Sequence, residues 1–169
     1  MTDPTPIDLA IPQGAIFSED RRFRYALWRV WNTHRPLLML TGLNPSKADA
    51  KRNDPTVTRG MVRADRCSFG GLLMANLYGY VSTDPNALLG DGDFIGELTD
   101  YYLREMIRLA ARHLCGWGSF KPVVRRAPTV LAMIPEPYCL GINADGQPKH
   151  PLYVGYDAPM KRYYNGQCQ

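Results

Sequence analysis

The sequence contains no apolar run long enough to cross a membrane. A spanning helix needs about 20 consecutive apolar residues, and no stretch of the 169 residues approaches that length. Residues 1–14 are also too polar for a secretory signal, whose central region is an apolar run. We therefore expect a protein of the cytoplasm that has no membrane partner.

Cysteine is scarce, and its four positions are widely spaced. Cys67, Cys115, Cys139 and Cys168 form no Cys-x-x-Cys pair, which is the usual start of a zinc site or a redox motif. We therefore expect free thiols with a mainly structural role. We assign neither a metal ion nor a cofactor to the chain.

The composition lies close to globular averages, with 45% hydrophobic and 21% charged residues. This excludes a disordered or a fibrous class, and the length suits one domain with one main core. We expect a monomer with a single domain over residues 1–169, in which the polar, proline-rich residues 1–15 are loosely ordered. The net charge of +4 favours binding to a polyanion, although many basic proteins bind no nucleic acid.

Short apolar runs alternate with helical patterns along most of the chain. The runs resemble strands buried on both faces of a sheet, and they cover residues 36–40, 71–77, 114–118 and 138–142. Helical patterns cover residues 54–67 and 100–113. This order predicts a three-layer α/β sandwich with a central, mainly parallel sheet.

Three segments fit more than one structure. Residues 17–31 alternate charged and aromatic side chains, which fits either a hairpin or an edge strand. Residues 121–128 form a basic segment punctuated by proline, and residues 129–133 fit either a helical turn or a strand. The sequence leaves these alternatives open.

Polar side chains follow three of the predicted strands. Asn44 stands in Gly42-Leu43-Asn44-Pro45-Ser46, Asn76 ends the second apolar run, and His150-Pro151 follows the last one. Ligands of open parallel sheets bind beyond the carboxyl ends of the strands. We therefore expect Asn44, Asn76 and His150 to converge on one cleft.

These three motifs, in this order and spacing, resemble those of the uracil-DNA glycosylase superfamily. The segment around Asn44 is similar to its water-activating Gly-x-Asn-Pro motif, Asn76 to the residue that recognises the flipped base, and His150 to its C-terminal histidine. The resemblance implies a uracil-DNA glycosylase-like fold. At closer range, Asn-Pro-Ser, Asp54-Pro-Thr, Asn-Leu and His-Pro-Leu-Tyr153 resemble the bacterial and phage family called domain of unknown function 1643.

The resemblance implies hydrolysis of an N-glycosidic bond that joins a damaged or modified, pyrimidine-like base to DNA. Asn44 and His150 would be catalytic, because Asn44 can hold the water and His150 can donate a hydrogen bond to the departing base. Asn76 offers both a donor and an acceptor to the edge of a pyrimidine. Further base-binding residues would be Gly42, Leu43, Phe69 and Tyr78.

DNA is the expected partner, with its target base flipped out or in a single strand. Arg59, Arg63 and Arg66 recur at helical spacing, so they can form a basic face that contacts phosphates. A solvated surface explains these arginines equally well. The other residues expected to contact DNA are Ser46, Lys149 and Tyr153.

Each of these motifs is also common in proteins without a base-binding site. Asn-Pro-Ser after a strand is an ordinary entry into a helix, and His-Pro is frequent in exposed turns. The pocket also suits an enzyme that processes nucleotides or hypermodified bases in a phage DNA-modification pathway. A third alternative is a protein that binds modified bases or nucleic acid without catalysis.

Overall fold

A computed structural model describes residues 4–169 of the chain. Residues 1–3, which belong to the N-terminal segment predicted to be loosely ordered, lie outside the described residues. The rest of that segment contacts the domain, because the Tyr102 hydroxyl donates a hydrogen bond to the Thr5 carbonyl over 2.8 Å. The first strand also begins within it, at Gln13.

Eight strands form one sheet within the described residues. They are β1 (Gln13–Phe17), β2 (Arg24–Val30), β3 (Leu37–Gly42), β4 (Gly71–Asn76), β5 (Arg112–Cys115), β6 (Pro137–Cys139), β7 (Lys161–Tyr164) and β8 (Gln167–Cys168). Their order across the sheet is β1-β2-β4-β3-β5-β6-β7-β8. The four central strands, β4-β3-β5-β6, run parallel to one another.

The predicted uracil-DNA glycosylase-like sandwich with a mainly parallel sheet is wrong. Four pairings of the sheet are antiparallel and three are parallel, so the sheet is mixed. The ambiguous segment 17–31 supplies most of the β1–β2 hairpin, and β7 and β8 follow the last motif that the prediction used. Strand direction depends on which neighbour a strand finds in space, and local hydrophobic patterns do not contain that information.

Three α-helices of residues 4–169 cover the two faces of the sheet. They are α1 (Pro55–Arg66), α2 (Thr99–Leu109) and α3 (Val123–Leu131). Side chains of β3 alternate between the faces, since Leu38 packs with α1 in one apolar cluster and Met39 packs with α2 and α3 in the other. Helix α3 occupies the segment predicted to be a basic excursion punctuated by proline. No helix within residues 4–169 has the length and apolarity that crossing a membrane requires.

Helix α1 begins where its capping residues predict. The Asp54 carboxylate accepts a hydrogen bond from the Val57 amide over 2.9 Å, and Pro55 occupies the first helical position. Both features were readable in the sequence.

The expectation that all four cysteines are free thiols is wrong for one pair. Cys139 at the end of β6 and Cys168 in β8 form a disulfide, with their Cα atoms 6.5 Å apart. Cys67 and Cys115 are free. The sequence separates the paired cysteines by 29 residues, and only the antiparallel return through β7 brings them together.

Candidate functional site

A cavity of about 400 Å³ opens beyond the carboxyl ends of β3 and β4. This volume is at the lower end of the range of roughly 300–1,000 Å³ for small-molecule sites. Its polar lining includes Arg24, Asn44, Asp54, Asn76, Ser119 and His150, and its apolar lining includes Leu43, Met74, Trp117 and Phe120. Within residues 4–169, no group of three or more His, Cys, Asp or Glu side chains is arranged to hold a metal ion.

Parallel pairing of β3 and β4 places two of the predicted motifs side by side. Gly42 lies directly opposite Asn76 in the register, and the Leu77 amide donates a hydrogen bond to the Gly42 carbonyl over 2.9 Å. A Cβ atom on Gly42 would lie 3.0 Å from the Asn76 side-chain nitrogen. Glycine at position 42 therefore leaves the room that the Asn76 amide occupies.

His150 joins these residues through the loop that follows β6. The Gly118 amide beyond β5 donates to the Pro148 carbonyl over 3.0 Å, and the Lys149 amide donates to the Gly141 carbonyl over 2.9 Å. These bonds hold the segment before His150 against the ends of β5 and β6. The structure thus brings Asn44, Asn76 and His150 to one cavity.

Asn76 is buried, and Arg24 fixes its orientation. The Arg24 guanidinium donates to Asn76 Oδ1 and to the Ala48 carbonyl, each over 3.0 Å. Burial lowers the pKa of Arg24 to about 10, and the nearby Asp54 carboxylate opposes that shift. Arg24 therefore remains a cation at neutral pH. Because Oδ1 already accepts from Arg24, Asn76 offers mainly its amide donor to a ligand.

The Asn44 side chain has a different arrangement. Its amide nitrogen donates to the carbonyls of Pro45, Tyr80 and Ser82 over 3.0, 3.3 and 3.0 Å. The amide group therefore ties three parts of the cavity wall together. Its oxygen accepts no hydrogen bond from the described residues, so it is available to a water molecule or a ligand.

His150 is held in one tautomer by its own loop. Its Nδ1 accepts a hydrogen bond from the Leu152 amide over 3.3 Å, so the neutral ring carries its proton on Nε2. Burial lowers the pKa of His150 from the usual 6.5, and the Asp54 carboxylate opposes that shift. A neutral ring with an Nε2–H donor is therefore the form at pH 7.

Asp54 is the carboxylate among the residues that line this cavity. One of its oxygens caps α1 through the Val57 amide. The other oxygen has no hydrogen-bond partner between residues 4 and 169, which leaves it free to accept a proton. Asp54 also acts electrostatically on Arg24 and His150, so the three side chains share one neighbourhood.

The expected phosphate-binding face of α1 is not free. Arg63 is only 1% exposed, and its guanidinium donates to the carbonyls of Val154, Gly155, Tyr156 and Ala158. Arg59 donates to the carbonyls of Pro151 and Val154 over 3.1 and 2.6 Å. These two arginines hold the loop that follows His150, because buried carbonyls need donors.

Arg66, the third arginine of that face, lies at the edge of the same loop. Its guanidinium is 3.3 Å from the Asp157 carboxylate and 4.8 Å from the centre of the Tyr156 ring. Arg59 and Arg63 therefore do not form the expected DNA-contacting face, whereas a DNA contact of the exposed Arg66 stays a prediction. Helical spacing identified their common face, but it did not reveal that residues 151–158 cover it.

Two aromatic side chains expected to contact a base do not line the cavity. Phe69 precedes β4, at the opposite end of that strand from Asn76, and packs in the core with α1. Tyr78 is buried, and its hydroxyl donates to the Pro122 carbonyl over 2.8 Å. Both are core residues, as aromatics near strand ends commonly are.

The remaining predicted residues lie on the cavity wall or at its rim. Leu43, Ser46 and Tyr153 line the cavity, and Lys149 lines a neighbouring cleft that also includes His150 and Tyr153. Tyr153 is 85% exposed although it is aromatic, and its ring centre lies 5.9 Å from that of His150. An exposed aromatic ring at the rim is suited to stacking on a planar ligand.

Sequence reasoning missed two charged residues of the site. Arg24 lies in the segment whose structure was ambiguous, and a buried arginine in a strand has no local signature. Asp54 was recognised in the sequence as the start of a helix and as part of the Asp54-Pro-Thr motif, but it was given no role in the site. Its acidic side chain next to Pro55 was the available signal, since a cap residue at a helix start can also face a cavity.

The described residues thus define a domain with a mixed sheet, helices on both faces and a polar cavity at the carboxyl ends of its parallel strands. The chain belongs to the family described as "Protein of unknown function (DUF1643)", whose model matches residues 24–152. The resemblance to that family, inferred from the motifs, is confirmed. The match begins at Arg24 and includes Asn44, Asp54, Asn76 and His150. Comparison with curated proteins and with solved structures gave no match.

Proposed function

We propose that this protein hydrolyses the N-glycosidic bond of a modified, pyrimidine-like base in DNA. One observation carries the proposal: Asn44, Asn76 and His150 line a single cavity, and hydrogen bonds to the surrounding protein fix the orientation of each side chain. Fixed dipoles that face a reacting group stabilise charge without reorganising during the reaction. The resemblance of these motifs to those of uracil-DNA glycosylases supports the same chemistry, independently of the fold.

The departing base would be stabilised by two donors. Cleavage of the glycosidic bond leaves the electron pair on the base, so negative charge develops on its carbonyl oxygens. The Nε2–H group of neutral His150 and the amide of Asn76 can both donate to those oxygens. A single donor of this type contributes about 3 kcal/mol to transition-state stabilisation.

The attacking water needs an acceptor for its proton. Asn44 can hold the water through its free oxygen, but a neutral amide cannot take up a proton. Asp54 can, and we assign it this role. The water oxygen then bonds to the sugar carbon, its proton passes to the Asp54 carboxylate, and the base departs with the electron pair of the broken bond.

The proposal is tested by single-turnover release of free base from a panel of DNA strands that carry modified pyrimidines, with mass spectrometry of the products. We expect release by the wild type and a large loss of rate in His150→Ala and Asn44→Ala, with a smaller loss of affinity. If the wild type releases no base from any strand, the glycosidase proposal is wrong. Binding without release would then identify a protein that only recognises the base.

Asp54→Asn separates the chemical role of Asp54 from its role as a helix cap. Asparagine caps helices as well as aspartate does, so the Val57 hydrogen bond is retained. The variant lacks a proton acceptor, so we expect slow base release with little loss of affinity for the DNA strand. A wild-type rate of base release in Asp54→Asn would exclude Asp54 as the acceptor.

A second function is favoured by a specific observation. The arginines expected to contact the DNA backbone are engaged by residues 151–158, which weakens the case for a long duplex footprint. The same cavity therefore also suits an enzyme that processes free nucleotides or hypermodified bases. Turnover of a nucleotide, with no base release from DNA strands, would favour this alternative.

A further inference from the structure

We propose that a cleft beside the cavity, formed by Arg21, Lys47 and the hydroxyls of Ser46 and Thr83, is a phosphate subsite for the substrate. The inference rests on the proposed function, since it assigns the place of the phosphate group next to the base. It also replaces the α1 arginines as the phosphate-binding element. The ligand would be a phosphate ester of a nucleoside, either as a free nucleotide or within a nucleic-acid strand.

The two spaces adjoin each other. The cleft has a volume of about 740 Å³, and it shares Ser46, Ser82 and Thr83 with the base cavity. A sugar separates base and phosphate in every nucleotide, so a base in the cavity would direct its phosphate across this shared wall. The hydroxyls of Ser46 and Thr83 make no hydrogen bond to other described residues, so both remain available as donors.

The charges of the cleft favour an anion. Arg21, Lys47 and Arg52 contribute cations to its lining, and Asp49 contributes one carboxylate. That carboxylate is paired with Arg52 at 2.8 Å and also accepts hydrogen bonds from the amides of Lys51 and Arg52. Arg21 and Lys47 therefore remain as cations without an ion-pair partner in the part of the chain that is described.

The position of the Arg21 cation is fixed by its surroundings. Its guanidinium lies 4.1 Å from the centre of the Phe17 ring, which holds the cation over an aromatic face. Its backbone adopts φ of 58°, in a tight turn where the Arg21 amide donates to the Ser18 carbonyl. An arginine held in this way loses less freedom when it binds a phosphate.

The experiment compares binding of thymidine, thymidine monophosphate and a short single strand containing one modified pyrimidine. It uses the full-length wild type, Arg21→Glu, Lys47→Glu and the control Lys161→Glu, an exposed cation that lines neither space. We expect the wild type to bind the monophosphate or the strand more tightly than thymidine. In each cleft variant the affinity for the phosphate ligands should fall about tenfold, which is the effect of one charged hydrogen bond. In Lys161→Glu this affinity should be unchanged.

Salt dependence provides a second measurement. Each lost phosphate contact should reduce the slope of log affinity against log salt for the single strand by about 0.7. Equal affinity for thymidine and both phosphate ligands in the wild type would overturn the subsite, and so would an equal loss in Lys161→Glu. If only the strand binds more tightly than thymidine, the substrate is a polymer. If the monophosphate binds as tightly as the strand, the substrate is a free nucleotide.

Failure of the subsite and failure of the proposed function are distinguishable. Base release by the wild type, measured on the same strand, reports on the glycosidase alone. Phosphate-dependent binding that requires Arg21 and Lys47, without base release, rejects the glycosidase and retains the subsite. If Arg21→Glu and Lys47→Glu both bind the strand and release base as the wild type does, the subsite is rejected and the glycosidase is retained.

Discussion

Arg24 Nη2 lies 3.0 Å from Asn76 Oδ1, and this hydrogen bond joins the buried faces of β2 and β4 at the floor of the cavity. It decides which end of the Asn76 amide faces a ligand. Because a buried acceptor that loses its donor is costly, the pair couples the stability of the sheet to the chemistry of the site.

Arg24→Met tests this coupling. The variant leaves Asn76 Oδ1 and the Ala48 carbonyl without their donor, so we expect a loss of about 1–3 kcal/mol in the free energy of unfolding. Thymidine binding should weaken as well, since the Asn76 amide is no longer held. Urea unfolding and calorimetry measure the two effects. The exposed Arg22→Met is the control, and an equal effect in both variants would contradict the role of Arg24.

Gly42→Ala tests the close approach beside Asn76. An added Cβ would lie 3.0 Å from the Asn76 nitrogen, so we expect displacement of the amide and weaker thymidine binding. Gly155→Ala is the matched control, because nothing lies within 4 Å of the Cβ built there. Unchanged affinity in Gly42→Ala would mean that the Asn76 amide is not part of the binding surface.

Asn44→Asp tests whether an acidic residue can improve the site. Aspartate is the better proton acceptor, but here it would place a carboxylate oxygen against the carbonyls of Pro45, Tyr80 and Ser82. We expect the free energy of unfolding to fall by about 1–3 kcal/mol and base release not to increase. The control is Asn32→Asp, in which the side-chain oxygen already serves as an acceptor from the His34 amide. Faster base release with full stability would refute this interpretation of Asn44.

Arg63→Met tests the support of the loop after His150. Removing a buried guanidinium leaves the Tyr156 and Ala158 carbonyls without a donor, so we expect at least about 2 kcal/mol of destabilisation in urea unfolding. Arg66→Met, which removes an exposed side chain from the same face, should change stability by no more than about 0.5 kcal/mol. Similar effects of the two changes would show that Arg63 does not support the loop.

His150 predicts a dependence of stability on pH. Its folded pKa lies below 6.5, so the unfolded chain takes up a proton first as the pH falls. The stabilising contribution is therefore complete above pH 6.5 and is lost between 6.5 and the lower folded pKa. In His150→Gln, which cannot titrate, the free energy of unfolding should fall less than in the wild type as the pH drops below 6.5. His34→Gln, at an exposed site, should follow the wild type; an identical decline in all three would exclude His150 as the cause.

Local patterns determined the parts of this fold that depend on neighbours in sequence. The apolar runs ending near Gly42 and Asn76 form β3 and β4, and the Asp54-Pro55 pair begins α1. The motif order then indicated which polar side chains stand at the ends of the strands. Burial of a short run and capping of a helix are local requirements, so the residues themselves contain the information.

Only the tertiary structure decided the direction of the outer strands, the burial of Arg24 and Arg63, and the cleft beside Arg21. A helical wheel predicts an exposed Arg63, yet its guanidinium donates to carbonyls more than 90 residues away along the chain. Contacts between distant segments determine whether a charged side chain faces water, a backbone carbonyl or a cavity. The sequence by itself therefore determined the strand-end motifs and the family. Packing decided which cations are free to meet a substrate, because a guanidinium buried beneath a loop, like that of Arg63, is out of reach of a phosphate.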